Sequence, residues 1–287
     1  MLGITFIGSG SKGNSALLEL NNSYYLLDAG ISCKKISDYL STRDLSLADL
    51  KGIFITHEHD DHIKGLKVLL NKAPHLTIYC TPGTASAIND KGIKISDFKE
   101  LDYEKSFQIA DCQCTAFQIP HDAAQPMGLR IESDNSTMVM ITDLGCVTPS
   151  IIRNAENADL LCIESNYDSD MLRSCSYPDF LKQRIRSASG HLPNEGVRSV
   201  LSKMKKVPQD IVLMHLSQES NTREKALAAL EPFFETHGAI FESMHITVAS
   251  QDTPTERLTI GTELPCRLKK KLMNSTNYTI PRKEAIG

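Results

Sequence analysis

The stretch Thr56-His57-Glu58-His59-Asp60-Asp61-His62 follows the apolar run Ile53-Phe54-Ile55. An apolar run of that length reads as a buried strand, so three imidazoles and an adjacent pair of aspartates stand where the chain leaves a sheet. His57 and His59 are one residue apart, and an extended backbone aims both rings to one side. Asp61 and His62 are adjacent and reach a neighbouring point. One strand end can in this way serve two metal ions. Nitrogen and carboxylate donors without a thiolate suit Zn²⁺, Mn²⁺ or Fe and leave positions open for water and substrate.

The same arrangement recurs along the chain. Asp28 follows the strand expected over Tyr24 to Leu27, His121 follows Cys114 to Pro120, Asp143 follows Met138 to Thr142, and His215 closes Ile211 to Met214. Taken singly, a histidine at a strand end is usually a hydrogen-bonded structural residue, and an aspartate there a cap or turn residue. The His-x-His-x-Asp-His cluster changes that weighting. If these strands lie side by side, their ends gather at one rim, where loops on a rigid sheet hold divergent groups around a shared ion.

Further strands are expected at Ile4 to Ile7, Ser15 to Leu20, Leu76 to Cys80, Phe107 to Ile109, Met127 to Glu132, Leu160 to Glu164, Ile246 to Ala249 and Arg257 to Ile260. Helical period appears at Ile36 to Leu40, Ile63 to Leu70, Tyr177 to Ser187, Pro193 to Lys206 and Thr222 to Thr236. Asn221 with Glu224 reads as a capping box for the last of these. A β-rich first half and a mixed second half imply two packed sheets flanked by helices.

With 287 residues, 41% hydrophobic and 23% charged, the chain has apolar content for one large core. One domain over residues 1–261 is expected, with a basic tail over 262–287 carrying the cluster Arg267 to Lys271. The net charge of −4 gives no global attraction to nucleic acid, so any such contact is local. The eight cysteines lack Cys-x-x-Cys spacing and read as reduced and mostly buried, with Cys112 and Cys114 on one strand face. Neither a signal peptide nor a membrane-spanning run is legible, and a cytoplasmic protein is expected.

The ordered set Asp28, His57/His59/Asp61/His62, His121, Asp143 and His215 resembles the metallo-β-lactamase superfamily. The resemblance implies an αββα sandwich, a four-layer α/β (α+β) fold of two mixed sheets with a dinuclear site at one edge. A finer similarity is to the YycJ/WalJ-like branch of bacterial nucleases. It is carried by Gly8 to Ser15 (GSGSKGNS), ITDLG at 141–145, ESNYD at 164–168, YPDFLKQRI at 177–185 and GHLPNE at 190–195. Two departures stand out: Tyr167 where the branch usually has histidine, and Pro193 where serine is common. The resemblance implies one metal on His57, His59 and His121, another on Asp61, His62 and His215, and Asp143 bridging them. Asp28 becomes support for the cluster loop.

Two metal ions can share a hydroxide at neutral pH and stabilise charge on a phosphodiester. The expected chemistry is therefore hydrolysis, although the metals alone do not select phosphorus; the branch resemblance implies a phosphodiesterase, a DNA exonuclease of 5′-3′ polarity, with DNA favoured over RNA. Asp61 and His191 are the expected catalytic residues. His191 and the backbone amides near Asn194 are expected to meet a phosphate at a helix start, and Ser9, Ser11, Lys12 and Asn14 to offer it a glycine-rich loop. Lys182, Arg184 and Arg186 are candidates for a nucleic-acid path. Two other readings remain: a small-molecule hydrolase of a thioester, lactone or cyclic phosphodiester, and a metal-stabilised regulatory protein without turnover. The oligomeric state is not legible.

Overall fold

Alternation within apolar runs is what builds the layers. The computed structural model describes residues 1–260 except 96, 134 and 237–243; the basic tail and Cys266 lie outside the described residues. Along Leu2–Gly8 (β1), Leu2, Ile4 and Phe6 point into one core and Ile7 into another. Along Leu160–Glu164, Leu160 and Cys162 face that first core while Leu161 and Ile163 face a third. Such strands are apolar on both faces, as strands covered on both sides must be.

The first sheet contains β1, Ser15–Leu20 (β2), Ser23–Leu27 (β3), Leu50–Phe54 (β4), Thr77–Cys80 (β5) and Lys99–Glu100 (β6). The second contains Ser106–Ile109 (β7), Cys112–Gln118 (β8), Met127–Ser133 (β9), Ser136–Ile141 (β10), Leu160–Glu164 (β11), Asp210–Met214 (β12) and His245–Val248 (β13). Leu258–Ile260 (β14) returns to the first sheet beside β1. The orders are β14-β1-β2-β3-β4-β5-β6 and β13-β12-β11-β10-β9-β8-β7. Between the sheets lies the core that holds Phe54, Leu129, Cys112 and Cys114. Helices Cys33–Ser41, Leu66–Lys72 and Pro82–Asp90 cover the outer face of the first sheet, and Pro149–Ala155, Asn194–Leu201 and Arg223–Ala228 that of the second. This is the expected αββα sandwich.

Strand direction explains the gathering of the ligands. β3 to β6 run parallel, as do β10 to β13. β8 runs the same way as β10 because both are antiparallel to β9. The strands before Asp28, His57, His121, Asp143 and His215 therefore end together, in the region where ligands bind open sheets of this kind. Three of these residues adopt positive φ: Asp28 at 59°, Asp143 at 52° and His215 at 56°. A non-glycine residue held there costs about 1–3 kcal/mol and persists only where its surroundings fix it. Asp28 N–H donates to Phe54 O at 2.8 Å, and His215 N–H to Ser9 Oγ at 2.8 Å.

Several expected boundaries differ. The helix expected over Ile63 to Leu70 is split into Asp60–Ile63 and Leu66–Lys72 around Gly65. A Cβ on Gly65 would lie 2.0 Å from Ile31 O, so the chain passes too close for any side chain. The helix expected over Pro193 to Lys206 covers Asn194–Leu201. The one expected from Thr222 to Thr236 breaks into Arg223–Ala228 and Glu231–Thr236. Its cap is Thr222, whose hydroxyl accepts from Lys225 N–H, not Asn221. Asn221 is drawn inward instead, donating to Ser165 O and Asn166 O at 2.9 and 3.0 Å.

Candidate metal centre

Four histidines of the rim, His57, His62, His121 and His215, each have one ring nitrogen tied down and the other left for the metal space. His62 Nδ1 is 2.7 Å from Asp28 Oδ2, His121 Nδ1 is 3.0 Å from Gly190 O, and His215 Nδ1 is 2.8 Å from Glu164 Oε1. His57 Nδ1 is 3.0 Å from Thr56 Oγ1. Partners of this kind fix the tautomer and orientation of metal-binding imidazoles. Asp28 also accepts from Thr56 N–H at 2.8 Å and Thr56 Oγ1 at 2.9 Å, which ties the end of β3 to the start of the cluster loop.

Among the described residues, three groups of side chains bring their donor atoms within 4.8 Å of one another. His57, His59 and His121 form the first, and Asp61, His62, Asp143 and His215 the second; Asp143, Glu164, His191 and His215 form the third, tied together by Glu164. Asp143 stands between the first two: its Oδ2 is 3.1 Å from His62 Nε2 and its Oδ1 3.7 Å from His121 Nε2. His57 Nε2 is buried and has no hydrogen-bond partner among the described residues. A buried polar atom left so costs about 1–3 kcal/mol, and a cation in the first group would supply the missing partner. The donor set fits divalent metal of the nitrogen- and oxygen-preferring kind.

Electrostatics tell the same story. Burial favours the neutral forms of Asp61 and Asp143, yet the imidazoles of His62 and His215 hold both carboxyls well below the usual range. Burial opposes charge on His62 and His215, yet Asp143 and its neighbours hold both imidazoles well above the ordinary histidine value. Burial and then His62 push His57 down; burial and then His121 push His59 down. A cluster that gathers protons on some rings and excludes them from others is one whose carboxylates require positive charge, which a metal ion supplies on displacing the protons.

A residue without an assigned role in the sequence reading proves central. Glu164, fully buried at the end of β11, places Oε1 2.8 Å from both His191 Nδ1 and His215 Nδ1, while Oε2 accepts from Leu144 N–H and Leu192 N–H. The signal was present, because Glu164 ends a strand like the other rim residues and opens ESNYD. Asp122 was also passed over. Its carboxylate lies 3.5 Å from His121 Nε2 and receives two bonds from Arg184, from Nε at 2.6 Å and Nη2 at 3.1 Å.

The expected substrate contacts separate. Ser11, Asp61, Asp143 and His191 line a cleft of about 420 Å³ over the site. Ser9 is buried and spends its hydroxyl on His215 N–H. Asn14 is buried and braces the cluster loop, with Nδ2 3.3 Å from Asp61 Oδ2 and its own N–H on Asp61 O at 2.7 Å. In the glycine-rich loop the amides of Ser9, Gly10, Lys12, Gly13 and Asn14 all donate to protein acceptors, which makes the loop a clasp. Gln251 closes it through Lys12 N–H and Gly13 O. Lys12 itself is exposed. Asn194 N–H donates to Tyr167 O, and its buried side chain bonds Ser165 and Asn221. Tyr167 packs under the rim against Leu172 and Ile185.

Comparison with known proteins agrees with this geometry. Residues 24–216 match the model of the β-lactamase superfamily domain. The chain belongs to the metallo-β-lactamase superfamily. Within it, the chain is 38% identical to the exodeoxyribonuclease WalJ of Streptococcus pneumoniae over 77% of its own length and 84% of that protein's. It is 31% identical to the exodeoxyribonuclease YycJ of Bacillus anthracis, over 89% and 98%. Among solved structures, the metallo-β-lactamase fold protein YhfI of Bacillus subtilis superposes with a TM-score of 0.67 at 17% identity, covering 89% of this chain and all of that one. The last likeness speaks for the fold alone. No helix among the described residues is long and apolar enough to cross a membrane.

Proposed function

We propose that this chain is a metal-dependent phosphodiesterase acting as a DNA exonuclease, with two divalent ions, Zn²⁺ or Mn²⁺, at the rim. The observation that carries the reading is the pair of donor groups with Asp143 between them beneath an open cleft, in a chain similar to two proteins named exodeoxyribonucleases. His57, His59 and His121 would hold one ion, and Asp61, His62 and His215 the other, with Asp143 between them. The ions would activate water at neutral pH and neutralise charge on the phosphodiester oxygens. The chain's own residues do the rest. Asp28 and Glu164 orient the ligand imidazoles, and Asn14 holds the Asp61 backbone in place. His191, with Nδ1 tied to Glu164, keeps its other nitrogen for the leaving oxygen. Burial works against charge on His191, yet Glu164 holds its imidazole above the ordinary histidine value, so a proton is available there near neutral pH. A 5′-3′ polarity and a cytoplasmic location belong to the same reading.

The test is digestion of 5′- and 3′-labelled DNA by protein loaded with Mn²⁺ or Zn²⁺, beside RNA, bis-(p-nitrophenyl) phosphate and a lactone. DNA shortening from one end, lost together with metal in Asp143→Ala, is the expected result. Lactone turnover without DNA cleavage would make the protein a small-molecule hydrolase instead. Bound metal with no turnover on any substrate would make it a regulatory protein.

A further inference from the structure

One helix supplies most of the apolar wall of the cleft. Tyr177, just before the helix Asp179–Arg186, and Leu181, Arg184 and Ile185 within it line the space over the site. Spacings of four, seven and eight residues put them on one helical face. On the same helix, Phe180 is 74% exposed, the most exposed large hydrophobic side chain among the described residues. Phe180 and Arg184 are four residues apart and hence neighbours on the helix surface.

Arg184 grips both oxygens of Asp122 with two nitrogens, the geometry by which a guanidinium also recognises phosphate. The pair is substantially exposed, so water screens it and the carboxylate is a weak competitor for a polyanion. Lys91, which also lines the cleft, is paired through its single nitrogen with Asp60 at 2.6 Å. Lys182, by contrast, donates to Arg173 O and does not line the cleft. The cleft, at about 420 Å³, is of the size that takes small ligands, roughly 300–1,000 Å³. It has room for a nucleotide.

We propose that this wall holds an unpaired terminal nucleotide, Arg184 exchanging Asp122 for a backbone phosphate while Phe180 stacks on a base. An arginine tracking the backbone beside an aromatic platform is the general chemistry of single-strand recognition. The proposal rests on the nuclease reading and adds the form of the substrate's end and the residues that grip it.

The two roles separate in one experiment, the binding of a phosphorothioate-linked single-stranded oligodeoxynucleotide to metal-loaded protein between about 50 and 200 mM salt. Arg184→Ala is expected to reduce the slope of log K against log salt by about 0.7, one phosphate contact on a single strand, with metal content unchanged. Arg184→Lys restores the slope but not the full affinity. Phe180→Ala is expected to lower affinity about tenfold at every salt concentration with the slope unchanged, since stacking releases no counterions; Phe180→Trp keeps the affinity. A wild-type slope in Arg184→Ala, or wild-type affinity in Phe180→Ala, overturns the proposal while leaving the nuclease reading standing. Wild-type protein that binds no oligonucleotide overturns the nuclease reading and the proposal with it.

Discussion

Glu164 Oε1 lies 2.8 Å from His215 Nδ1 with both side chains buried in the second sheet's rim. His215 can reach the metal space with Nε2 only while Nδ1 keeps its proton, and the Glu164 carboxylate is what holds it there. Glu164→Gln keeps the volume and removes the charge. Loss of such a partner typically lowers metal affinity about 10- to 100-fold, and that is the expected result when a chelator competes for the loaded protein. Unchanged affinity would show that Glu164 is only a packing residue.

Gly30 has a different task. A Cβ built there would sit 1.6 Å from Asp61 O and 2.8 Å from Asn14 N, so the turn after β3 lies flat against the backbone of the cluster loop. Gly30→Ala must push that loop outward. The expected cost is about 3 kcal/mol, at the upper end for overpacking, seen as a lowered urea midpoint, together with substoichiometric metal. Full stability with full metal content would mean that the loop shifts freely.

Much of this was legible because the strands alternate cleanly and end on ionisable residues. β2 and β11 fall within the expected limits, and Asp28, His57, His121, Asp143 and His215 share a rim because their strands run the same way. What sequence periodicity could not supply was close approach between distant segments. Gly65 ends a helical pattern only because Ile31 lies against it. Nor does the pattern of the 8–15 loop show that its Gly10, Lys12 and Gly13 amides donate to Asn14, Gln251 and Gly10, partners up to 239 residues away. Asn221 reads as a cap by its type and position, yet a buried amide network takes it first.

That displacement gives a simple stability test. Thr222 Oγ1 accepts from Lys225 N–H at 3.2 Å as the cap of Arg223–Ala228. Thr222→Ala should cost about 1 kcal/mol by urea unfolding, with metal content untouched. Asn221→Ala should cost more, because it takes a buried hydrogen bond from each of Ser165 O, Asn166 O and the Asn194 side chain. The reverse order would return the cap to Asn221.

Metal removal should make stability depend on pH in a direction the site dictates. Burial opposes charge on His215, but Asp143 and bonds to Asp61 and Glu164 outweigh it, and the imidazole is pushed up from 6.5 to about 10. A group whose folded value is raised stabilises the protein fully below its unfolded value and loses that contribution as pH rises through the folded one. Chelated protein is therefore expected to melt at steadily lower temperature between about pH 6.5 and 10. In the loaded protein the same ring nitrogens face a cation that requires them unprotonated, so the alkaline decline should shrink. The two melting curves are then expected to diverge as pH rises, and metal affinity to climb with it. Parallel curves across that range would mean that His62 and His215 bind no metal and that protons alone balance Asp61 and Asp143.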